Sequence, residues 1–419
     1  MRTRTGLVLA GAVALAAVTA ALLLTGLPSG SGEPDVAEHR ETIADPLTSD
    51  HWSQARNGDQ GVTVWDPRHA LRGFTLYSTG DGASAHLVTM IGQEVQHWSL
   101  PYSAVWNRET AAVQDPQPDE LVFFRWVHLF PDGDLLASYA AAGHTPSGYG
   151  LVKMDKDSRP IWSYLQRVEG AFDVGPDGRI YAAVQDFGKN ERGRRILDDL
   201  LVVLSPDGKE ISRQSIGAAV RPSSFRQLIL APGGGPLDVD SVDVITPDTA
   251  PLVPGAKPGD VLLSFPRSGA VAVFDPSSNH IVWAAHGPWA GQHDATLVAG
   301  GGILAFDNGG GTPDANGARV IEASPPAMDA TWRYAAASGQ PPLASAARSA
   351  ARRLANGNTL ITESDAGRII EVTKDGTIVW DYMNPLRGGP DDGRIPIVTA
   401  GQRILSKDLD PAFRGSKRP

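Results

Sequence analysis

Short apolar runs separated by glycine-containing turns recur along the chain after about residue 70. In the clearest unit, Asn356-Gly357 precedes one apolar run, Lys374-Asp375-Gly376 separates two more, and the last run ends at Trp380. Asn-Gly and Asp-Gly pairs supply the positive φ that tight hairpin turns need, and alternating β-branched residues suit half-buried strands. The pattern therefore predicts antiparallel strands joined by hairpins.

Six segments repeat this order of turns and strands, and most of them end in a tryptophan. The segments begin near residues 73, 131, 176, 259, 302 and 356. Repeats of roughly 50–70 residues with three or four strands are typical of β-propeller blades, and a pair of β-sandwiches explains the period less well. We predict an all-β fold, a six-bladed β-propeller of four-stranded blades. The tryptophans are expected to fill the gaps between adjacent sheets, and residues 395–399 to close the ring by pairing with the first blade.

The N-terminus carries an uncharged apolar run over residues 6–27, preceded by Arg2 and Arg4. A run of roughly 20 residues is long enough to cross a bilayer, and no Ala-x-Ala cleavage site follows it. We therefore predict a transmembrane signal-anchor helix over residues 1–27, a flexible linker over 28–50 and the propeller over 51–419. Arginines on the cytoplasmic side would place the propeller outside the cytoplasm, anchored to the membrane, or secreted if the segment is a cleaved signal peptide.

The amino-acid composition excludes several classes of function. The chain has no cysteine, which excludes disulfides, thiol catalysis and cysteine-ligated metals. Its net charge of −10 argues against a nucleic-acid partner. Phosphate-binding, dinucleotide-binding and zinc-protease motifs are absent from the sequence, and the Asp-Gly stretches are interpreted as turns rather than calcium loops. No cofactor and no metal site are expected.

Polar residues interrupt the strand pattern just upstream of several predicted turns. Because propellers bind ligands on the central axis near their innermost strands, these side chains are candidates for one polar funnel. The candidates for substrate binding are His128, Asp173, Asp238, Asp240, Asp294, Arg352 and Arg353, with His293 beside them in a Gly-Gln-His-Asp run. Each of these residue types also serves as a turn or capping residue, so both roles stay open at this point.

Three stretches, over residues 283–294, 306–309 and 354–385, are similar to sequences of the arylsulfotransferase family. The similarity spans about residues 70–405. It implies a six-bladed propeller, exported from the cytoplasm, that moves a sulfuryl group between phenols through a transient sulfo-histidine, without a nucleotide sulfate donor. By position, His293 matches the histidine that carries the group. Arg267 matches the arginine that binds the anion.

Two further histidines of the family pattern are replaced here, one by Phe172 and one by Asp238. A carboxylate 4 Å from an anion costs about 1 kcal/mol in water and several times more in a buried site. One hypothesis is an enzyme for a small aromatic or anionic substrate, with His293 as carrier, Arg267 orienting the sulfate, and Asp173 or Asp294 orienting the histidine. The alternative is a catalytically degenerate, membrane-tethered binding or scaffold propeller with a membrane-protein partner. A quinoprotein dehydrogenase would explain the Asp-to-Trp blade endings, but the chain is short and lacks vicinal cysteines.

Overall fold

The computed structural model describes residues 36–189, 193–231, 235–309, 317–337, 341–346, 348–415, 417 and 419. The predicted anchor over residues 1–27 lies outside this part of the chain. Among the described residues, no helix is both long and apolar enough to cross a membrane. One compact unit begins at Asp35 and extends to the C-terminus.

Six antiparallel sheets, which we number as blades 1 to 6, form the body of this unit. Their strands are given below from the innermost outward. Blade 1 contains Val398–Ile404, Phe74–Thr79, Ser84–Val88 and Glu94–Ser99. Blade 2 contains Val122–Leu129, Leu135–Ala141, Gly148–Met154 and Pro160–Tyr164. Blade 3 contains Val168–Val174, Ile180–Lys189, Arg195–Leu204 and Glu210–Ser215.

The remaining three blades follow the same order. Blade 4 contains Ser241–Val244, Val261–Phe265, Ala270–Asp275 and His280–His286. Blade 5 contains Gln292–Leu297, Ile303–Asp307, Arg319–Ser324 and Asp329–Tyr334. Blade 6 contains Ala350–Arg353, Thr359–Glu363, Arg368–Val372, Ile378–Met383 and an added outer strand, Gly61–Trp65. The prediction of a six-bladed all-β propeller is confirmed, although blade 6 has five strands instead of four.

Short elements outside the blades complete the described fold. Two-residue or three-residue strands pair as His39–Arg40 with His144–Thr145 and as Trp52–Gln54 with Arg394–Pro396. The α-helices are Ile216–Val220, Arg226–Ile229 and Pro411–Arg414. Single 3₁₀ turns occur at Pro46–Thr48, Tyr102–Ala104, Asp119–Leu121, Ala250–Leu252, Ser364–Ala366, Pro390–Asp392 and Ser406–Asp408.

The C-terminal strand closes the ring as predicted, with a shift in its start. Val398–Ile404 pairs with Phe74–Thr79 and becomes the innermost strand of blade 1. The predicted strand over 395–399 begins too early, because Pro396 pairs with Trp52 outside the blades instead. Proline has no N–H to donate, which disfavours it inside a strand that is paired through its length. Blade 1 thus combines strands from the beginning and from the end of the propeller sequence.

Tryptophan links neighbouring blades in a repeated way. In the fourth strand of four blades, the indole N–H donates to a backbone carbonyl in a turn of the next blade. The pairs are Trp98 to Gly133 (3.1 Å), Trp162 to Pro206 (3.2 Å), Trp332 to Lys374 (2.8 Å) and Trp380 to Met90 (2.9 Å). The outer strand of blade 3 has no tryptophan, and there the side-chain amide of Gln214 donates to Pro276 at 2.8 Å. The tryptophans, which the sequence predicts to pack between adjacent sheets, therefore also form hydrogen bonds between blades.

The folded unit starts earlier than the sequence predicts. Residues 36–50, expected to be part of a flexible linker, lie against the propeller. The backbone N–H of Glu41 donates to Gly143 at 2.7 Å, and Glu38 contacts both His144 and Arg167. These contacts fix the segment on the same end of the propeller as the pocket described next.

Candidate functional site

A small pocket, open to solvent, lies on the propeller axis. All six blades, or the segments that lead into them, contribute to its wall. The lining residues are Phe123, Arg125, Trp126, Gly170, Asp240, Ser241, His293, Asp294, Arg348, Ser349 and Thr399. The site thus exists only once the ring is closed.

Gly170 lets the inner strands of blades 3 and 4 approach each other beside the pocket. Its φ is +76°, and a Cβ placed there would lie 2.4 Å from the carbonyl oxygen of Asp240. Only glycine combines this left-handed conformation with so close an approach. The glycine therefore fixes where Asp240 stands relative to the axis.

His293 and Asp240 form a hydrogen-bonded pair in the pocket wall. His293 pairs with Phe306 at the start of blade 5, and an irregularity follows in the strand before Thr296. Asp294 within it has φ of +53°. The Nδ1 of His293 lies 2.6 Å from Oδ1 of Asp240, and the backbone N–H of Asp294 donates to Oδ2 of the same carboxylate at 2.9 Å.

This geometry determines which ring nitrogen of His293 can react. An ionised carboxylate only accepts hydrogen bonds, so Nδ1 of His293 carries the proton that Asp240 accepts. In the neutral imidazole, Nε2 then holds the lone pair. The arrangement is similar to the carboxylate and histidine of a hydrolase triad, in which the carboxylate holds the imidazole ring in one tautomer and stabilises its cation.

The pair also shifts the pKa values of both groups. Burial lowers the pKa of His293, but the charge and hydrogen bond of Asp240 outweigh burial, so the pKa lies above its ordinary value. Burial raises the pKa of Asp240, and the adjacent His293 reverses this, so that pKa lies below its ordinary value. The site therefore holds an ionised Asp240 beside a histidine of increased basicity.

Two arginines face the pocket together with His293. Arg125 comes from the inner strand of blade 2, with Nη1 3.5 Å from Oε1 of Glu169. Arg348 precedes the inner strand of blade 6 and forms an ion pair with Asp50. Neither arginine is identified as a site residue from the sequence. Arg125 is a lone charge in an apolar run, which is a usable signal, whereas Arg348 lies in an Ala/Ser-rich stretch that offers none.

Asp294 and Arg352, both predicted site residues, form an ion pair next to His293, and of the two only Asp294 lines the pocket. Nη2 of Arg352 lies 2.7 Å from Oδ1 of Asp294, and the guanidinium lies 5.1 Å from the ring centre of Trp126. Burial raises the pKa of Asp294 to about 7, against the opposing charge of Arg352. The Asp294 carboxylate also accepts the N–H of Ala351 at 3.2 Å. It thereby connects blade 5 to blade 6.

Asp173 has a similar connecting role, two blades earlier. Its Oδ2 accepts the N–H of Val244 at 2.8 Å, and Asp243 likewise accepts the N–H of Leu297 at 2.9 Å. The expectation that Asp173 or Asp294 orients His293 is wrong. Asp240 does so. It directly precedes the inner strand of blade 4, and its side chain reaches His293 of blade 5.

Of the nine predicted site residues, six do not line the pocket, and His128, Arg353 and Arg267 are among them. His128 packs edge-on against Phe130, with ring centres 4.9 Å apart, and burial lowers its pKa to about 4. Arg353 pairs with Glu322 and donates to Oγ1 of Thr359 at 2.5 Å. Neither His128 nor Arg353 is a lining residue of the pocket.

Arg267, the third, is exposed in the turn after the second strand of blade 4. Its Nη1 donates to the carbonyl of Pro236 at 2.7 Å. It is outside the set of pocket-lining residues, where Arg125 and Arg348 stand instead. Asp238 is exposed nearby with φ of +59°. Desolvation and the carboxylates of Glu169 and Asp240 raise its pKa, against the charge of Arg267.

Phe172, at the other position where the family pattern has a histidine, is buried in the hydrophobic core. It is not available to a ligand in the pocket. Within the described residues, no group of three or more His, Asp or Glu side chains is arranged to hold a metal ion. The chemistry of the site thus depends on His293, its carboxylate partner and two arginines.

Fold and site together define a propeller with an axial histidine pocket of basic and aromatic character. The model of the arylsulfotransferase (ASST) family matches residues 127–385, more than half of the chain. The chain therefore belongs to the arylsulfotransferase family. No curated protein sequence matches it.

Solved structures similar to this chain include several propellers. A protein of unknown function from Bacteroides caccae has a TM-score of 0.47 at 11% identity, over 78% of this chain and 99% of that one. Virginiamycin B lyase from Staphylococcus aureus has a TM-score of 0.43 at 14% identity, over 83% and 98%. A nidogen/laminin complex has a TM-score of 0.44 at 9% identity, over 80% and 98%. At these identities, no statement about function follows from them.

Proposed function

We propose that the axial pocket transfers a sulfuryl group from an aryl sulfate to a phenol, with Nε2 of His293 as the transient carrier. The observation that carries this proposal is the 2.6 Å contact between Nδ1 of His293 and Asp240 in a pocket with two arginines. A proton held on Nδ1 leaves the lone pair on Nε2, the nitrogen that a nucleophile needs.

In the first half-reaction, the Nε2 lone pair attacks sulfur and the bond from sulfur to the aryl oxygen breaks. The phenolate leaves and takes a proton from solvent. The sulfated ring is a cation that retains its Nδ1 proton, and the carboxylate of Asp240 stabilises that cation. In the second half-reaction, the oxygen of an acceptor phenol attacks sulfur, the N–S bond breaks, and the phenolic proton passes to solvent.

The rest of the pocket suits this substrate class. Arg125 and Arg348 supply positive charge for the sulfuryl oxygens, where negative charge has to be stabilised in the transition state. Phe123 and Trp126 supply aromatic surface for the ring of the phenol. The negative charge of Asp240 opposes an anion while the His293 ring is neutral, but it favours the step in which the ring becomes a cation.

Turnover of 4-nitrophenyl sulfate with a phenol acceptor tests the proposal. We expect release of nitrophenol and formation of the aryl sulfate of the acceptor, and loss of both in His293→Ala. The matched control is His286→Ala, since His286 is exposed and its Nε2 contacts the carbonyl of Leu228 at 2.9 Å. Equal activity of a folded His293→Ala variant, or no activity in the unsubstituted protein, would refute the proposal.

A binding or scaffold role is the second candidate function. The observation that favours it is that both pocket arginines already face carboxylates, Arg125 that of Glu169 and Arg348 that of Asp50. A pocket with matched charges attracts an anion less strongly than one with an excess of positive charge. Aryl sulfate binding without any turnover would support this role over catalysis.

We further propose that the propeller lies outside the cytoplasm. The support is the apolar run over residues 6–27 after Arg2 and Arg4. Fusion of a reporter that is active only outside the cytoplasm to the C-terminus tests this proposal. An inactive but stable fusion would contradict it.

A further inference from the structure

The segment over residues 36–60, which we call the N-terminal strap, crosses the pocket end of the propeller. Near its start, Glu38 pairs with Arg167 at 3.0 Å beside blade 3. Near its end, Arg56 pairs with Glu363 of blade 6 at 2.7 Å. Between these contacts the strap passes the pocket, at Asp50 and His51.

Asp50 of the strap sits on one of the two pocket arginines. Its carboxylate forms an ion pair and a hydrogen bond with Nη2 of Arg348, and its backbone carbonyl accepts Nη1 of the same side chain at 2.8 Å. The carboxylate and the backbone carbonyl of Asp50 thereby each take one of the two positions from which the guanidinium binds an oxyanion. The side chain of Asp50 is nevertheless 53% exposed, so water reaches it.

The backbone on either side of Asp50 is held in place. The ring of His51 lies 3.9 Å from the ring centre of Phe123, a pocket residue. The carbonyl of His51 accepts the N–H of Ile397 at 3.0 Å, and Trp52–Gln54 pairs with Arg394–Pro396. Release of the carboxylate from Arg348 without movement of the strap therefore requires rotation of the Asp50 side chain, whose Oδ1 also lies 3.5 Å from Nε2 of His51.

The other pocket arginine has a partner of a different kind. Glu169 accepts hydrogen bonds from the hydroxyl of Ser147 at 2.9 Å and from the N–H of Gly148 at 3.0 Å. These bonds hold Glu169 at 3.5 Å from Arg125, too far for a good hydrogen bond. Glu169 is thus a fixed part of the wall, whereas Asp50 is an exposed carboxylate that can turn away.

We propose that Asp50 sets the anion specificity of the pocket by competing with the substrate for Arg348. An anion that binds to Arg348 must displace the Asp50 carboxylate. Its apparent affinity therefore equals the intrinsic affinity multiplied by the fraction of molecules in which Arg348 is free of Asp50, and weakly binding anions are rejected. This inference rests on the proposed function only in taking a sulfate group as the anion. The binding step itself needs no turnover.

Binding of inorganic sulfate, measured by isothermal titration calorimetry on the full chain, tests the proposal. Removal of the competing charge in Asp50→Asn is expected to lower the Kd for sulfate about fivefold, the factor that corresponds to a displaced exposed ion pair. The matched control is Glu38→Gln, which removes an ion pair of the same strap away from the pocket. It is expected to leave the Kd unchanged. In an Arg348→Ala background, Asp50→Asn is expected to have no effect.

Asp50→Ser serves as a second variant, and thermal unfolding verifies that each variant is folded. Four results would each overturn the proposal. They are an unchanged Kd in folded Asp50 variants, an equally lowered Kd in Glu38→Gln, a Kd that Asp50→Asn still lowers in the absence of Arg348, and no sulfate binding in any variant. A lower Kd in Asp50→Asn together with no turnover of 4-nitrophenyl sulfate would support Asp50 as the competitor while refuting the proposed catalysis. The two failures are therefore distinguishable.

Discussion

Asp240→Asn tests the electrostatic basis of the histidine site. The two oxygens of Asp240 serve two donors, Nδ1 of His293 at 2.6 Å and the N–H of Asp294 at 2.9 Å. Asparagine has one carbonyl oxygen, and the backbone N–H of Asp294 requires it. The asparagine NH₂ then faces Nδ1 of His293, which can accept only if the ring proton moves to Nε2. The substitution therefore removes a charge and also reverses the tautomer.

The size of the pKa change follows from the charge that is lost. A unit charge about 4 Å from the imidazolium contributes about 4 kcal/mol at an effective dielectric constant near 20. One pKa unit corresponds to about 1.4 kcal/mol, so removal of the charge is expected to lower the pKa of His293 by about 2 or more. Burial, which lowers the pKa of His293, is unchanged by the substitution. The pKa is therefore expected to fall below its ordinary value.

Long-range ¹H–¹⁵N NMR spectra of ¹⁵N-histidine protein, titrated over pH, report both the pKa and the tautomer. The His293 resonance is assigned by its loss in His293→Ala among the ten histidines. Asp243→Asn is the control, since Asp243 lies three residues on and accepts from Leu297 instead. An unchanged or higher pKa of His293 in Asp240→Asn, or an equal fall in Asp243→Asn, would refute the reasoning.

Two predictions concern stability. Trp380→Phe removes the indole donor to the Met90 carbonyl at the closure between blades 6 and 1. It is expected to lower the free energy of unfolding in urea by about 1–3 kcal/mol, and a loss no larger than that of the half-buried Trp332→Phe would contradict this. Burial and Asp173 raise the pKa of Asp243 to about 7. The folded state thus keeps a proton that the unfolded state loses near pH 4, so stability falls as pH rises from 5 to 8. Asp243→Asn is expected to flatten this fall by on the order of 1–3 kcal/mol, and an unchanged pH profile would contradict it.

The architecture was predictable because its signals are local and repeated. Glycine-containing turns such as the one at Gly376, with apolar runs on either side, recur along the chain, so blade number and ring closure follow from the sequence. The strand that closes the ring was placed early because 395–397 is as apolar as 398–400, and only the pairing of Pro396 with Trp52 separates the two. The replacement of the blade 3 tryptophan by Gln214 has no sequence signal.

The candidate site was predictable only in part. His293 stands out in a motif, but its partner depends on which side chain of blade 4 reaches blade 5. Asp238 and Asp240 are two residues apart and look equivalent in sequence, yet the positive φ of Asp238 turns the chain before the strand begins, and only Asp240 meets the histidine. Arg348 becomes a site residue through long-range packing alone. Its partner Asp50 is 298 residues away in the chain.

The most direct test of the central claim is the mass of the protein after brief exposure to 4-nitrophenyl sulfate without an acceptor. We expect an adduct of one sulfuryl group per chain, located on His293 by peptide mapping under alkaline conditions and lost when a phenol is added. Adduct formation is also expected to accelerate as pH rises through the raised pKa of His293, because only the neutral ring has the Nε2 lone pair. His293 is not the carrier if a folded protein releases nitrophenol with the adduct on another residue, or if it forms no adduct and releases no nitrophenol.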